Sequence, residues 1–188
     1  TAYFMFQGGG ESGEGTIQKM TPAGDISTLV HFSGSGGPAP GADPRTGLTW
    51  GPDGHLYGFT RSGSNNVQPN GSYSGLGVFF RCTTAGAYTA LFTQPLGNSH
   101  SICGSLVLAS DGNFYGMTED GGATNDGKIF RISPSGTGYT ELATFSGSST
   151  TLGPLEGERP QGSLVERVDG GTPYLYGVVR NSGGSGSN

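Results

Sequence analysis

The sequence predicts an all-β protein built from tandem four-stranded antiparallel sheets. Three observations predict it: the spacing of glycine and proline, a short strand motif written repeatedly along the chain, and turn residues at matching offsets. Gly (38) and Pro (11) make up roughly a quarter of the 188 residues, and the longest run free of both is Asp25–Ser33. An interior Gly costs a helix about 1 kcal/mol and a Pro about 3, so no ordinary three-turn helix fits between these breakers. Short strands do. A membrane-crossing helix, which needs about 20 apolar residues, is excluded on the same ground.

The first strand of each repeat is Leu56-Tyr57-Gly58-Phe59-Thr60, then Phe114-Tyr115-Gly116-Met117-Thr118, then Leu175-Tyr176-Gly177-Val178-Val179. Ala2-Tyr3-Phe4-Met5-Phe6 is a degraded copy in which Phe4 replaces the Gly. The tyrosines lie 54, 58 and 61 residues apart, the drifting period of a repeat array. The second strand reads Thr16-Ile17-Gln18-Lys19-Met20, Val78-Phe79-Phe80-Arg81-Cys82 and Lys128-Ile129-Phe130-Arg131-Ile132. Each runs into a four-residue turn (Thr21–Gly24, Thr83–Gly86, Ser133–Gly136), where Gly takes the positive φ and Pro22 or Pro134 presets the bend. The third strand is Ile26–Phe32, Tyr88–Gln94 and Tyr139–Phe145. The fourth begins at Gly47-Leu48, Ser105-Leu106 and Ser163-Leu164, and Asp53-Gly54 or Asp111-Gly112 leads from it into the next Tyr strand as a hairpin. Strands are therefore expected near 2–6, 16–21, 26–32, 47–51, 56–60, 77–82, 88–93, 105–109, 114–118, 128–132, 139–145, 163–167 and 175–179.

One such sheet cannot bury both faces, so it must stack on its neighbours. Radial stacking of four-stranded sheets is the β-propeller, which uses about 4 to 8 blades. The expected domain is thus a single repeat domain over 1–188, with repeats at about 2–55, 56–113 and 114–174 and a partial one at 175–188. Three full repeats plus one extra strand form an arc of a β-propeller. The two end faces of such an arc would expose strand side chains such as Phe79, Phe80, Phe130 or their equivalents. Several hundred Å² of exposed apolar surface forfeits on the order of 10 kcal/mol, as much as a whole domain's stability. The expected partners are the remaining blades of a longer chain or other subunits of an assembly. The chain starts on a strand without initiator Met or signal peptide and stops in a Gly/Ser run, so both ends read as cut from something longer.

Net charge is −5, with two lysines, Lys19 and Lys128, and seven arginines. No basic stripe exists to neutralise phosphates, which speaks against nucleic acid. Charged residues are 12% of the chain, about half the usual share, so the surface is built from Ser, Thr, Asn and Gly, as in many exported proteins.

The run Asp111-Gly112-Asn113-Phe114-Tyr115-Gly116-Met117-Thr118, followed by Asp120-Gly121-Gly122, Gly127–Ile132 and Ser133-Pro134-Ser135-Gly136, resembles the GloVer-type tandem repeat of bacterial surface proteins. His31-Phe32-Ser33-Gly34 and Thr144-Phe145-Ser146-Gly147 match its HSFSG segment. The second repeat departs furthest, with Gln94-Pro95 in place of Phe-Ser and a longer Arg61–Leu76 loop. The resemblance covers essentially the whole chain and carries no catalytic residues to transfer. It implies a propeller-like array in an exported bacterial protein: secreted, periplasmic or at the cell surface.

No catalytic, cofactor or metal residues are assigned from the sequence. A disulfide between Cys82 and Cys103 would suit an exported protein. However, they sit at the end of a second strand and the start of a fourth, which favours a free, buried Cys82. His31, His55 and His100 fall in three different repeat contexts without ligand spacing. Asp120, Asn125 and Asp126 could bind calcium, but the acids do not recur in the sister loops, so turn formation is the better account. Glu156 and Glu158 could serve a glycosidase only across a defined cleft; a solvated loop is expected. The cations Lys19, Arg81 and Arg131 and the tyrosines Tyr3, Tyr57, Tyr115 and Tyr176 recur in every period, which fits salt bridges and packed rings with satisfied hydroxyls better than a singular site. The sequon Asn70-Gly71-Ser72 matters only in a host that glycosylates. These features point to a non-enzymatic exported repeat module, a binding or structural subunit of something larger. The alternative is a carbohydrate-binding or glycan-cleaving propeller with its site on the Arg61–Leu76 and Gly147–Pro160 loops.

Overall fold

Turn residues every few positions leave room only for short strands, and the structure is made of them. It is a computed structural model that describes residues 1–63, 77–93, 102–122, 124–147 and 157–181. Thirteen strands run in order: β1 Ala2–Phe6, β2 Thr16–Met20, β3 Ile26–His31, β4 Thr49–Trp50, β5 Leu56–Phe59, β6 Val78–Cys82, β7 Tyr88–Thr93, β8 Ile102–Leu108, β9 Phe114–Thr118, β10 Lys128–Ile132, β11 Thr140–Thr144, β12 Glu158–Asp169 and β13 Thr172–Asn181. The described residues contain no helix. No helix among them is long and apolar enough to cross a membrane.

The chain divides into two compact units, Thr1–Ser99 and His100–Asn188. The first holds the sheet β1-β2-β3 and the four-stranded sheet β4-β5-β6-β7. The second holds the four-stranded sheet β8-β9-β10-β11 and the ribbon β12-β13. All pairings between these strands are antiparallel. The sheets are offset by one strand from the period counted at the tyrosines. Each four-stranded sheet takes the last strand of one period and the first three of the next, joined through the Asp-Gly hairpin that pairs β4 with β5 and β8 with β9.

The second and third strands of each of the three full repeats (β2–β3, β6–β7, β10–β11) pair with a bulge at one repeated place, between Ile17 and Gln18, Phe79 and Phe80, and Ile129 and Phe130. The residue left unpaired is a leucine each time: Leu29, Leu91 and Leu142. An extra residue bends the strand and increases its twist. The β6–β7 turn closes on the first of these bulges; a Cβ on Gly86 would lie 2.6 Å from the Leu29 carbonyl oxygen.

Strands β8 and β12 run longer than expected because each passes through a glycine kink, Gly104 (φ 67°) and Gly162 (φ 81°), where the pairing register shifts. The two kinks touch: a Cβ on Gly104 would fall 1.9 Å from the Gly162 carbonyl oxygen. Only glycine permits that approach. The matching position before β4 is Thr46, whose hydroxyl instead donates to the Phe59 carbonyl at 3.1 Å, and β4 is only two residues long.

Within the first unit, Ile17, Val30, Phe32, Ala39, Phe80 and Cys82 form a buried cluster with Met5, Leu29, Leu48 and Tyr88 packed against it. Phe32, Phe80 and Tyr88 meet pairwise at centroid distances of 5.4 to 6.0 Å. The expectation that Phe79, Phe80 and Phe130 lie on uncovered faces is corrected here, since all three are fully buried. Phe79 stacks on Phe59 at 5.0 Å. The rings of Phe80 and Phe130 cover the glycines opposite them, Gly58 and Gly116. Exposed apolar side chains gather instead on the β12-β13 ribbon: Val165, Val168, Tyr174, Tyr176 and Val178.

Candidate functional site

The polar groups of the repeat converge on the Asp-Gly hairpins. In the β4–β5 hairpin, one oxygen of Asp53 (Oδ2) receives the His55 ring nitrogen Nδ1 at 2.7 Å, the Tyr57 hydroxyl at 3.0 Å and Arg81 at 3.4 Å. Its other oxygen accepts the His55 backbone N–H at 3.2 Å. Burial alone would raise the Asp53 pKa, but the hydrogen bonds from His55 and Tyr57 outweigh it and hold the carboxyl at about 2. The β8–β9 hairpin repeats the arrangement. Asp111 accepts the Asn113 backbone and side-chain amides at 3.0 and 2.9 Å and the Tyr115 hydroxyl at 2.8 Å. There too burial is outweighed, by Asn113, Tyr115 and the charge of Arg131, and the pKa falls. In the β12–β13 hairpin, Asp169 receives Arg167 Nε at 2.8 Å and the Tyr176 hydroxyl at 3.4 Å.

The tyrosines and arginines singled out in the sequence are therefore brought together, around an aspartate first read only as a turn former. Arg81 and Arg131 stand directly across from Tyr57 and Tyr115 in the strand pairing, and Lys19 stands across from Tyr3. Tyr3 meets the Trp50 ring edge-on at 5.5 Å. At Asp53 the hairpin's own donors and Arg81 from the strand opposite share the carboxylate, so the cluster fastens a turn to a neighbouring strand. At Asp111, Arg131 acts through its charge, and Asp169 is held within its own ribbon.

The remaining candidates are scattered. His31 accepts the Glu11 backbone N–H at 3.2 Å, while His55 belongs to the Asp53 cluster. Asn125 (φ 64°) accepts the Gly121 N–H at 3.0 Å, a turn-forming role, and the Asp126 carbonyl accepts the Arg159 N–H at 2.9 Å, tying this loop to β12. Glu158 opens β12. His100, Glu156, Gln94-Pro95, the Asn70 sequon and most of the Arg61–Leu76 and Gly147–Pro160 loops lie outside the described residues. Among the described residues, no three His, Cys, Asp or Glu side chains converge as metal ligands. Both cysteines are free. Burial pushes the Cys82 thiol up to about 11. Burial, with the charges of Glu119 and Asp120, pushes Cys103 up to about 12. Since the thiolate is the reactive form, both thiols are inert near neutral pH.

Three features escaped the sequence reading. Lys128, 1% exposed, points inward and pairs with Glu141; the uncharged Thr16 and Val78 at its sister positions are the sequence signal that could have found it. Asp43, at φ 51°, holds Arg45 at 2.9 Å and Arg61 at 3.3 Å; burial raises its pKa, but the two arginines lower it further. An open groove of about 370 Å³ lies among Glu11, Leu29, His31, Pro38 and Tyr88.

The profile of the Gloeobacter/Verrucomicrobia repeat matches residues 1–188. The chain belongs to that repeat family. No curated protein matches it. In this Gloeobacter/Verrucomicrobia repeat protein, the recurrence of the aspartate cluster in the hairpins and of the bulge and buried Phe in the two four-stranded sheets is architecture that follows the repeat. The β12-β13 ribbon has the fewest strands of the sheets among the described residues and carries exposed Val165, Val168, Tyr174, Tyr176 and Val178, which sets its surface apart.

Proposed function

We propose that this chain is a non-enzymatic, exported bacterial repeat module: an arc of a β-propeller that serves as a binding or structural subunit by stacking on further repeats or other subunits. The observation that carries this reading is the β12-β13 ribbon. Its sisters β4-β5 and β8-β9 each continue into two more strands of a four-stranded sheet, whereas among the described residues β13 pairs with β12 alone. On its outward side Tyr176 is 51% exposed and Val178 64%. Their sister side chains Tyr57 and Phe59 are 1% and 0% exposed. Contiguous apolar surface of this kind marks an interaction face. Residues that recur from hairpin to hairpin and bond one another within them supply adhesion between strands rather than a reaction centre. Sedimentation velocity and thermal unfolding of residues 1–188 test the reading. Self-association or weak, non-cooperative unfolding is expected. A stable, cooperative monomer that binds a defined polysaccharide would replace it with the glycan reading.

A further inference from the structure

In each four-stranded sheet a phenylalanine of the third-ranked strand in the sheet order lies across a glycine of its neighbour. Phe80 pairs with Gly58 and Phe130 with Gly116, and a Cβ on either glycine would lie 2.7 or 2.5 Å from the ring. The sheet β1-β2-β3 lacks this pair: Phe4 stands at the glycine's place and faces Gln18. Strand β13 carries the glycine, Gly177, but no described strand pairs with its outer edge. A recess of about 170 Å³ lies at that glycine, lined by Met117, Ile129, Phe145, Leu164, Leu175 and Val179. Four of these correspond by repeat position to Met5, Ile17, Phe32 and Leu48, which belong to the cluster that buries Phe80 in the first unit. The recess has the setting of a phenylalanine seat.

We infer that this recess and the outer edge of β13 receive a β-hairpin of the same repeat, supplied from outside these 188 residues, with a Phe opposite Gly177 and an Arg or Lys opposite Tyr176. The inference rests on the reading of the chain as a repeat module. The order Phe-then-cation follows from the register, since Arg81 and Arg131 stand across from Tyr57 and Tyr115 one place beyond Phe80 and Phe130. Charge agrees. Asp169, the sister of Asp53 and Asp111, has a half-exposed carboxylate held by Arg167 of its own ribbon, and the incoming cation would add to that cluster as Arg81 does at Asp53. A second copy of this chain fits poorly. Its β2 offers Gln18 at the required place, and its β6 and β10 are flanked by strands on both sides.

The test is a titration of residues 1–188 with a labelled peptide copying Gly127–Phe145, followed by fluorescence anisotropy and by hydrogen exchange at β13. Saturable binding that protects β13 is expected. Phe130→Ser in the peptide should weaken it at least about tenfold, since burying a phenylalanine is worth a decade or more in affinity. Gly177→Val in the chain should do the same, because the added side chain enters the recess and meets only the flexible ends of Leu164 and Met117; its thermal unfolding should be unchanged. Equal binding of the Phe130→Ser peptide overturns the proposal without recourse to the chain variant. So does binding of a scrambled peptide, or no binding up to millimolar peptide. Self-association of the chain that Gly177→Val abolishes would assign the seat to a second copy instead. If the peptide fails to bind while residues 1–188 still associate or unfold without cooperativity, the hairpin inference falls and the repeat-module reading stands.

Discussion

Replacing one glycine by alanine at three sister positions should give different answers, and the difference can be worked from the structure. Gly58, Gly116 and Gly177 occupy the same place in β5, β9 and β13, and none has a positive φ, so backbone strain does not enter. Elsewhere such a change stabilises by about 0.4–1 kcal/mol by stiffening the unfolded chain. At Gly58 the new methyl would sit 2.7 Å from Phe80 Cζ and 3.3 Å from Leu48 Cδ2; at Gly116 it would sit 2.5 Å from Phe130 Cζ. Both rings are fully buried and cannot swing aside freely, and overpacking of this kind costs about 1–3 kcal/mol. At Gly177 the nearest atoms are Leu164 Cδ2 at 3.0 Å and Met117 Sδ at 3.1 Å, side-chain ends beside an open recess. Gly58→Ala and Gly116→Ala should each lose about 1–2 kcal/mol, while Gly177→Ala should be neutral or slightly stabilising. With a urea m-value of about 1–3 kcal/mol/M, the first two midpoints should fall by roughly 0.5–1 M. Urea unfolding followed by circular dichroism, with Trp50 fluorescence reporting on the first unit, measures this. Equal effects at all three sites would refute the reasoning, as would stabilisation by Gly58→Ala.

Other outcomes follow from named contacts. Because the folded pKa of Asp53 lies below its ordinary value of 3.8, its contribution is fully present above pH 4 and is lost as pH falls through about 2. After allowance for its partial exposure to solvent this amounts to about 1 kcal/mol, and Asp53→Asn should flatten the stability profile in that window. Glu141→Gln should destabilise by about 1–3 kcal/mol by leaving the Lys128 ammonium buried without its carboxylate, whereas Lys128→Val, which copies Val78, should be near neutral; chemical denaturation of both variants separates the two. Gly104→Ala should be the most damaging glycine substitution, about 3 kcal/mol or more, since backbone rather than a side chain opposes the methyl; the shift in thermal midpoint reads it. Native Cys82 and Cys103 should resist iodoacetamide at pH 8 and react promptly in urea, followed by mass spectrometry.

Strand positions were legible because turns announce themselves: Gly, Pro and Asp recur at fixed offsets, and each marks where a strand must stop. Strand ends were less so. The extensions of β8 and β12 depend on the contact between Gly104 and Gly162, a tertiary approach that local sequence does not display. The bulge leucines Leu29, Leu91 and Leu142 look like ordinary apolar strand residues until pairing shows them skipped. The offset of the sheets was hidden for a different reason. A period can be counted from any strand; the Asp-Gly turns already announced the hairpin joining one period to the next, but not which of the two longer loops in each period stays within a sheet. At the clasps, the repeated tyrosine and cation were visible, but Asp53 and Asp111 explained themselves as turn formers, so their second role as acceptors went unread. The burial of Phe80 and Phe130 was missed because each ring is covered partly through the glycine opposite it, a pairing between strands far apart in the chain.

The claim that β12-β13 is the unfinished member of a repeating series is tested most directly by hydrogen exchange of residues 1–188, resolved to single strands. Paired amides of β13 should exchange through low-energy local opening, far faster than the paired amides of its sisters β5 and β9, which have strands on both sides and buried side chains on both faces. Equal protection of β5, β9 and β13 would contradict the account.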